Sequence, residues 1–160
     1  MIGVISDTHD NVPNILKAIK VFENEDVDFI IHCGDVVAPA TIRFFKGIHI
    51  KVVKGNCDGD VSHIKQVLGE IGGEFLGEVG KLEIAGKKIL VYHGEDQSKL
   101  NEFINSNEYN YVLTGHTHKT RDEKIGKTRV INPGAHYYGG ENKVGLLDID
   151  NDVVEFIELK

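Results

Sequence analysis

MIGVISDTHDNVPNILKAIKVFENEDVDFIIHCGD, residues 1–35, decides the fold class. Met1 to Ile5 is a short apolar run that ends in Ser6-Asp7-Thr8-His9-Asp10 and suits a buried strand. Ile15, Ala18, Ile19 and Phe22 then recur at i, i+3, i+4 and i+7, the spacing of an amphipathic helix. Asn11 is placed to cap that helix, and Pro13 is tolerated in its first turn. Phe29-Ile30-Ile31-His32 is a second short strand, ending at Gly34-Asp35. Strands alternating with helices predict crossovers and a parallel arrangement.

The alternation continues with a short helix near Ala40–Phe45 and a strand Ile50–Val53 ending at Gly55-Asn56. Ile64, Val67, Leu68 and Ile71 suit another helix. Beyond it strands dominate. Glu78–Ile84 and Lys88–Tyr92 flank Ala85-Gly86-Lys87, a hairpin turn. Leu100, Phe103 and Ile104 mark a helix before the strand Tyr111–Thr114. Thr128–Ile131, Val144–Ile149 and Val153–Leu159 are strand-like, with Asp150-Asn151-Asp152 as the turn between the last two. No repeat, low-complexity segment or linker interrupts the chain. The expectation is an α/β fold in one domain over residues 1–160, with two sheets packed face to face and helices outside.

A chain of 160 residues is long enough for one domain with a real core. Its formal charge of −7 argues against a broad electrostatic grip on nucleic acid or an anionic membrane, which needs a basic patch. An anionic small substrate is still admissible if bound cations supply the local positive field. Cys33 and Cys57 are the only cysteines, too few for a disulfide framework and without zinc-ribbon or CxxC spacing. A reducing, cytoplasmic setting is expected. The N-terminus has neither a basic region nor a long apolar one, so no leader is expected. Nothing approaches the roughly 20 apolar residues of a membrane span.

Five strand-terminal loops carry ligand-type residues: Asp7-Thr8-His9, Gly34-Asp35, Gly55-Asn56-Cys57-Asp58, His93-Gly94 and Gly115-His116-Thr117-His118. Open α/β sheets bind ligands beyond the carboxyl ends of their strands, so the five are expected on one rim. Each loop alone has a structural reading. Asp7 or Asp10 suits a helix cap, as does Asp35, and Gly55-Asn56 suits a turn. Together they fit a metal site better, because structural need explains none of the histidines. His116 and His118, two residues apart on an extended segment, would face the same side, and neutral imidazole suits divalent transition metals.

Asp7, Asp35, Asn56, His9, His93, His116 and His118 make seven candidate ligands. That is too many for one metal and right for two that share a carboxylate. Two divalent cations and two carboxylates leave excess positive charge to hold a hydroxide and a phosphate, and two such metals clamp a phosphate through its transition state.

The order Asp-x-His, Gly-Asp, Gly-Asn-x-Asp, His-Gly, Gly-His-x-His resembles the calcineurin-like metallophosphoesterase superfamily, and the length resembles its small prokaryotic phosphodiesterase branch. The resemblance implies a four-layer αββα sandwich of two mixed β-sheets. It implies two divalent metal ions, Mn²⁺ first and Ni²⁺, Co²⁺, Fe or Zn²⁺ as alternatives. One metal would take Asp7, His9, Asp35 and His118. The other would take Asp35, Asn56, His93 and His116, with Asp35 bridging. The implied reaction is phosphodiester hydrolysis by in-line attack of a metal-bridging hydroxide, with Asp35, Asn56 and His93 as catalytic residues and no phosphorylated side chain.

Two departures from the family pattern bear on the substrate. Many members have His after the Gly-Asn pair, able to protonate a leaving oxygen or hold phosphate; here Cys57 and then Asp58 follow. A neutral thiol is a weak acid for that task, which favours diesters with acidic leaving groups. Asn56, Cys57 and Asp58 are the expected substrate contacts. Asn132-Pro133-Gly134-Ala135 resembles an Asn-Pro-Gly-Ser turn of this branch, but no arginine follows, leaving His136 or Tyr137 to contact substrate. His32, His49, His63, Cys33 and Phe44-Phe45 read as structural, and Lys17, Lys20, Glu23 and Glu25 as a solvated helix face.

The competing functions are a phosphomonoesterase and a metal-binding protein-interaction scaffold, since the family resembles the fold of a eukaryotic retromer subunit. All seven ligand positions hold competent residue types, which favours an enzyme. The expected partner is a small phosphodiester. A processive nuclease is disfavoured by the acidic charge and the absence of a basic stripe. A homo-oligomer would supply the lid that a chain this short lacks.

Overall fold

Residues 1–137 and 139–160 are described by a computed structural model. The chain runs β1 (Ile2–Ile5), α1 (Val12–Asn24), β2 (Phe29–His32), a 3₁₀ helix (Pro39–Phe45), β3 (Ile50–Val52), α2 (Val61–Ile71), β4 (Glu74–Phe75), β5 (Val79–Ile84), β6 (Lys87–Tyr92), α3 (Gln97–Asn105), β7 (Tyr111–Leu113), β8 (Thr120–Ile125), β9 (Thr128–Pro133), β10 (Lys143–Asp148) and β11 (Val153–Glu158). Two mixed sheets result, one in the order β11-β10-β1-β2-β3-β4 and one in the order β5-β6-β7-β9-β8.

Alternation along the central strands builds the layers, because successive strand side chains point to opposite faces. Ile2 and Val4 of β1 pack with Ile89 and Val91 of β6, and with Leu113 and Ile131, between the two sheets. Ile5 turns the other way, into a second core with Ile15 and Phe22 of α1 and Ile64 and Leu68 of α2. On the far side, Leu90 and Tyr92 of β6 meet Leu100 and Ile104 of α3. The order across the molecule is helix, sheet, sheet, helix, as the family pattern implies.

The helices begin where their caps place them. Asn14 donates its backbone N–H to Asn11 Oδ1 at 3.2 Å, and Asp60 and Asp96 accept from His63 and Lys99 in the same way. Each cap satisfies an N–H that has no partner within the helix. The hairpin turn is two residues, not three: Ala85 and Gly86 both have positive φ, while Lys87 already pairs with Ile84. Positive φ at both central positions is the primed turn that matches strand twist.

Three further details lie beyond the sequence reading. The short helix expected near Ala40–Phe45 winds as 3₁₀ over Pro39–Phe45. β4 is only two residues long, too short to leave a period in the sequence. β8 is the polar run TRDEKI, an edge strand whose charges guard against further pairing and hide its strand character.

Pairing directions then place the chemistry. β1, β2 and β3 are parallel, and so are β6 and β7. Their carboxyl ends therefore lie at one end of each sheet.

Candidate metal centre

Cooperation between loops starts in the backbone. Asp7 N–H donates to Gly34 O at 3.0 Å and His9 N–H to Asp35 O at 3.2 Å, stitching the β1 loop to the β2 loop. Gly115 N–H donates to His93 O at 2.9 Å, joining the β6 and β7 loops. Close approach requires glycine at two points. A Cβ on Gly115 would overlap Ser6 Oγ and lie 2.6 Å from Asp7 Oδ2, and one on Gly55 would overlap Asp35 Oδ1.

Asp7, His9, Asp35, His116 and His118 all have positive φ. For non-glycine residues this conformation costs on the order of 1 kcal/mol each, and it clusters here. It also corrects the extended reading of residues 116–118. β7 ends at Leu113, and both histidines sit in left-handed backbone, so the i, i+2 rule for strands does not apply to them.

Each carboxylate is half anchored and half free. Asp7 Oδ2 accepts from Ser6 Oγ at 2.5 Å and from His116 N–H at 3.0 Å. Its Oδ1 has no hydrogen-bond partner although the side chain is fully buried. It faces His118 Nε2 at 3.2 Å and both His9 Nε2 and His93 Nε2 at 3.8 Å. Asp35 Oδ1 accepts from Cys57 N–H at 2.8 Å, and Oδ2 lies between His93 Nε2 at 3.2 Å and His9 Nε2 at 3.4 Å. Burial alone would raise the Asp35 carboxyl. The adjacent His93 and the Cys57 N–H outweigh it and hold Asp35 well below the usual carboxylate range.

His93 is oriented from behind. Cys33 O is an acceptor only and lies 2.8 Å from His93 Nδ1, so Nδ1 carries a proton and Nε2 points inward. Burial pulls the His93 ring down, but Asp35 and Asp7 push it up further, to about 9. His32 braces the same floor: its Nδ1 accepts from Gly34 N–H at 3.1 Å and its Nε2 meets Thr8 Oγ1 at 3.0 Å. Burial, then neighbouring His136, pushes His32 down to about 3.

Three donor groups result among the described residues, each with ligand atoms within 4.8 Å of one another: Asp7-His9-His118, Asp7-Asp35-His93 and His9-Asp35-Cys57. Asn56 and His116 stand beside the second, with Asn56 Oδ1 3.0 Å from His116 Nδ1 and the His93 and His116 rings 5.2 Å apart. All seven expected ligand positions thus gather at one place. Asp7 Oδ1, His9 Nε2 and His93 Nε2 are three of the four buried side-chain polar atoms left without a partner among the described residues. Buried polar groups are normally satisfied. Three orphans converging on one point, all lone-pair donors or capable of being so, fit divalent cations.

The expected substrate contacts divide. Cys57 is exposed; burial and then the Asp35 charge push its thiol up to about 11. Asn56 is exposed beside it. Asp58 does not serve as expected. It is buried, its Oδ2 accepts from Asp35 N–H at 2.9 Å and Gly55 N–H at 2.8 Å, and its Oδ1 accepts from Val37 N–H at 2.8 Å. Three backbone donors occupy it, and its burial turns it away from a substrate. His136 is likewise buried, donating its N–H to Asp7 O at 3.0 Å, whereas Tyr137 is exposed with its ring 4.4 Å from His9 and 5.7 Å from His118.

Ser6, Thr114 and Asn132 also shape the site without any sequence signal that sets them apart. Asn132 Nδ2 donates to Gly115 O at 2.8 Å, and Thr114 Oγ1 to His93 O at 2.9 Å. Only their position beside ligand-type residues, or in the Asn-Pro-Gly turn, hints at this.

Comparison with known proteins points the same way. The model for the calcineurin-like phosphoesterase superfamily domain matches residues 1–152. A phosphodiesterase of Methanocaldococcus jannaschii is 38% identical over 154 residues, 93% of each chain. The solved structure of an archaeal phosphodiesterase superposes with a TM-score of 0.92 at 37% identity, covering 98% of each chain. The zinc complex of Vps29 from Entamoeba histolytica shares the fold at a TM-score of 0.70 and 19% identity, covering 99% of each chain.

Proposed function

This chain belongs to the calcineurin-like phosphoesterase superfamily, and we propose that, as a metal-dependent hydrolase of phosphoester bonds, it is a phosphodiesterase working through a dinuclear centre bridged by Asp35. The convergence of Asp7 Oδ1, His9 Nε2 and His93 Nε2 around the Asp35 carboxylate carries this reading. Asp7, His9, Asp35 and His118 would hold one divalent cation, and Asp35, Asn56, His93 and His116 would hold the other. Such a pair, when bound, supplies the activated water and the positive charge that steadies the phosphate.

The remaining work falls to the protein. Cys33 O keeps the His93 lone pair aimed inward, Ser6 and the His116 N–H fix the Asp7 carboxylate, and Asp58 fixes the backbone that carries Asp35. Preorganised groups of this kind cost no rearrangement during reaction. Asn56 and Cys57, exposed on the rim, face the substrate. Tyr137 forms a wall beside His9. No histidine stands at position 57 to protonate a leaving oxygen, and this supports diesters with acidic leaving groups over monoesters.

Mn²⁺ is the first candidate metal, with Ni²⁺, Co²⁺, Fe and Zn²⁺ as alternatives, since mixed His, Asp and Asn donors suit them all. No helix among the described residues is long and apolar enough to cross a membrane. Free Cys33 and Cys57 support a reducing, cytoplasmic setting. The substrate is a small phosphodiester, and a second copy of the chain is the candidate lid.

The test is a substrate panel on chelator-stripped protein reconstituted with each metal. Diesters with acidic leaving groups are expected to be the best substrates, cyclic nucleotides to be included, and monoesters to be poor. Faster turnover of monoesters would favour the phosphomonoesterase reading. A protein that binds none of these metals at micromolar concentration would exclude both and leave a scaffold.

A further inference from the structure

Cys57 lies outside the seven side chains of the family pattern, yet its Sγ falls within 4.8 Å of the donor atoms of both His9 and Asp35. Two contacts hold it there. Its own backbone N–H donates to Asp35 Oδ1 at 2.8 Å, and Asn56 Nδ2 approaches Sγ at 3.5 Å. The thiol is exposed, so packing does not account for its position. Behind it, the fully buried and unpartnered Asp7 Oδ1 lies 3.8 Å from His9 Nε2. The His9 imidazole therefore neighbours both an unsatisfied carboxylate oxygen and a sulfur.

We infer that Cys57 Sγ is a displaceable ligand of the cation held by Asp7, His9, Asp35 and His118, filling on the open side the place that the substrate phosphate takes. This deepens the dinuclear reading above and rests on it. As the sulfur–metal bond forms, the thiol proton passes to solvent, and no atom changes oxidation state. Neighbouring carboxylates oppose a bare thiolate, but a divalent cation inverts the local field and deprotonates a coordinating thiol. Sulfur selects thiophilic metals. The thiol therefore raises the affinity of the site for Zn²⁺, Co²⁺, Ni²⁺ and Fe²⁺ relative to Mn²⁺, the first candidate on the seven His, Asp and Asn donors alone.

Cobalt makes the assignment visible. Chelator-stripped protein loaded with Co²⁺ is expected to show visible d–d bands together with a near-ultraviolet sulfur-to-cobalt charge-transfer band. Cys57→Ser keeps the former, loses the latter, and lowers the preference for Zn²⁺ over Mn²⁺ by ~10-fold. Inorganic phosphate added to the unaltered protein bleaches the charge-transfer band as it displaces the sulfur. A charge-transfer band that is absent from cobalt-loaded protein, or that survives Cys57→Ser, overturns the ligand assignment. A band that phosphate leaves unchanged overturns displacement. Absence of cobalt binding altogether overturns the dinuclear reading itself, so the two failures are distinct.

Discussion

Asp58 Oδ2 accepts the backbone N–H of Asp35 at 2.9 Å, across 23 residues of chain. One carboxylate thus holds the residue proposed to bridge the two metals. Asp58→Ala would orphan three backbone donors, those of Asp35, Gly55 and Val37. A loss of about 2–4 kcal/mol in stability is expected from such groups, with metal affinity down 10- to 100-fold on the order typical of groups that orient ligands. Thermal unfolding with and without chelator, and a Mn²⁺ titration, measure both. Unaltered stability and metal affinity with a raised KM would return Asp58 to the substrate.

Asp35→Asn keeps the shape and removes the charge shared between His9 and His93. Turnover is expected to fall at least ~100-fold, with metal stoichiometry dropping from two toward one. Elemental analysis of the dialysed protein alongside an activated diester assay reads both. Retention of two metals with normal turnover would rule out Asp35 as the bridge.

Metal-stripped protein is expected to be most stable near pH 6.5. His93 is held up at about 9 in the fold, from an ordinary value of 6.5. Its contribution is complete below pH 6.5 and is lost as pH rises through 9, a loss on the order of 3 kcal/mol. His32 and His136 have the opposite sign, pushed down by burial to about 3 and about 4. Their contribution is complete above pH 6.5 and is lost as pH falls toward those values. Urea unfolding of chelated protein across this range tests it, and metal loading should flatten the alkaline limb because the cation takes the place of the His93 proton. Stability that climbs from pH 6.5 to 9 without metal would contradict the His93 pairing.

Cys57→His restores a group able to protonate a leaving oxygen. On esters with poor leaving groups, kcat is expected to rise by ~100-fold, the scale of general acid catalysis, with little change on activated esters. Equal kcat for both proteins across a leaving-group series would show that protonation at position 57 does not limit the reaction.

Much of this was readable in the chain because it is local. The i, i+3, i+4, i+7 spacing of α1 and the apolar run of β1 follow from periodicities of 3.6 and 2, and the strand–helix alternation of residues 1–35 implies the parallel core. The five ligand-bearing loops were legible for the same reason: each follows its own strand. β8 was not, because an edge strand is polar on both faces. Nor was the left-handed backbone at His116 and His118, which local residue types disfavour and only the surrounding contacts impose.

Residue identity by itself determined the candidate donors, Asp7, His9, Asp35, Asn56, His93, His116 and His118, since ligand chemistry belongs to the side chain. Tertiary structure alone decided what each neighbour does. Asp58, two residues from Asn56, is consumed by three N–H groups, those of Asp35 and Val37 in the loop after β2 and that of Gly55 in its own loop. Cys57, beside it, is left facing His9 and Asp35. The two residues are adjacent in sequence and opposite in role because a buried carboxylate is claimed by whatever unpaired donors surround it. Which donors surround it is set by how distant strands pack.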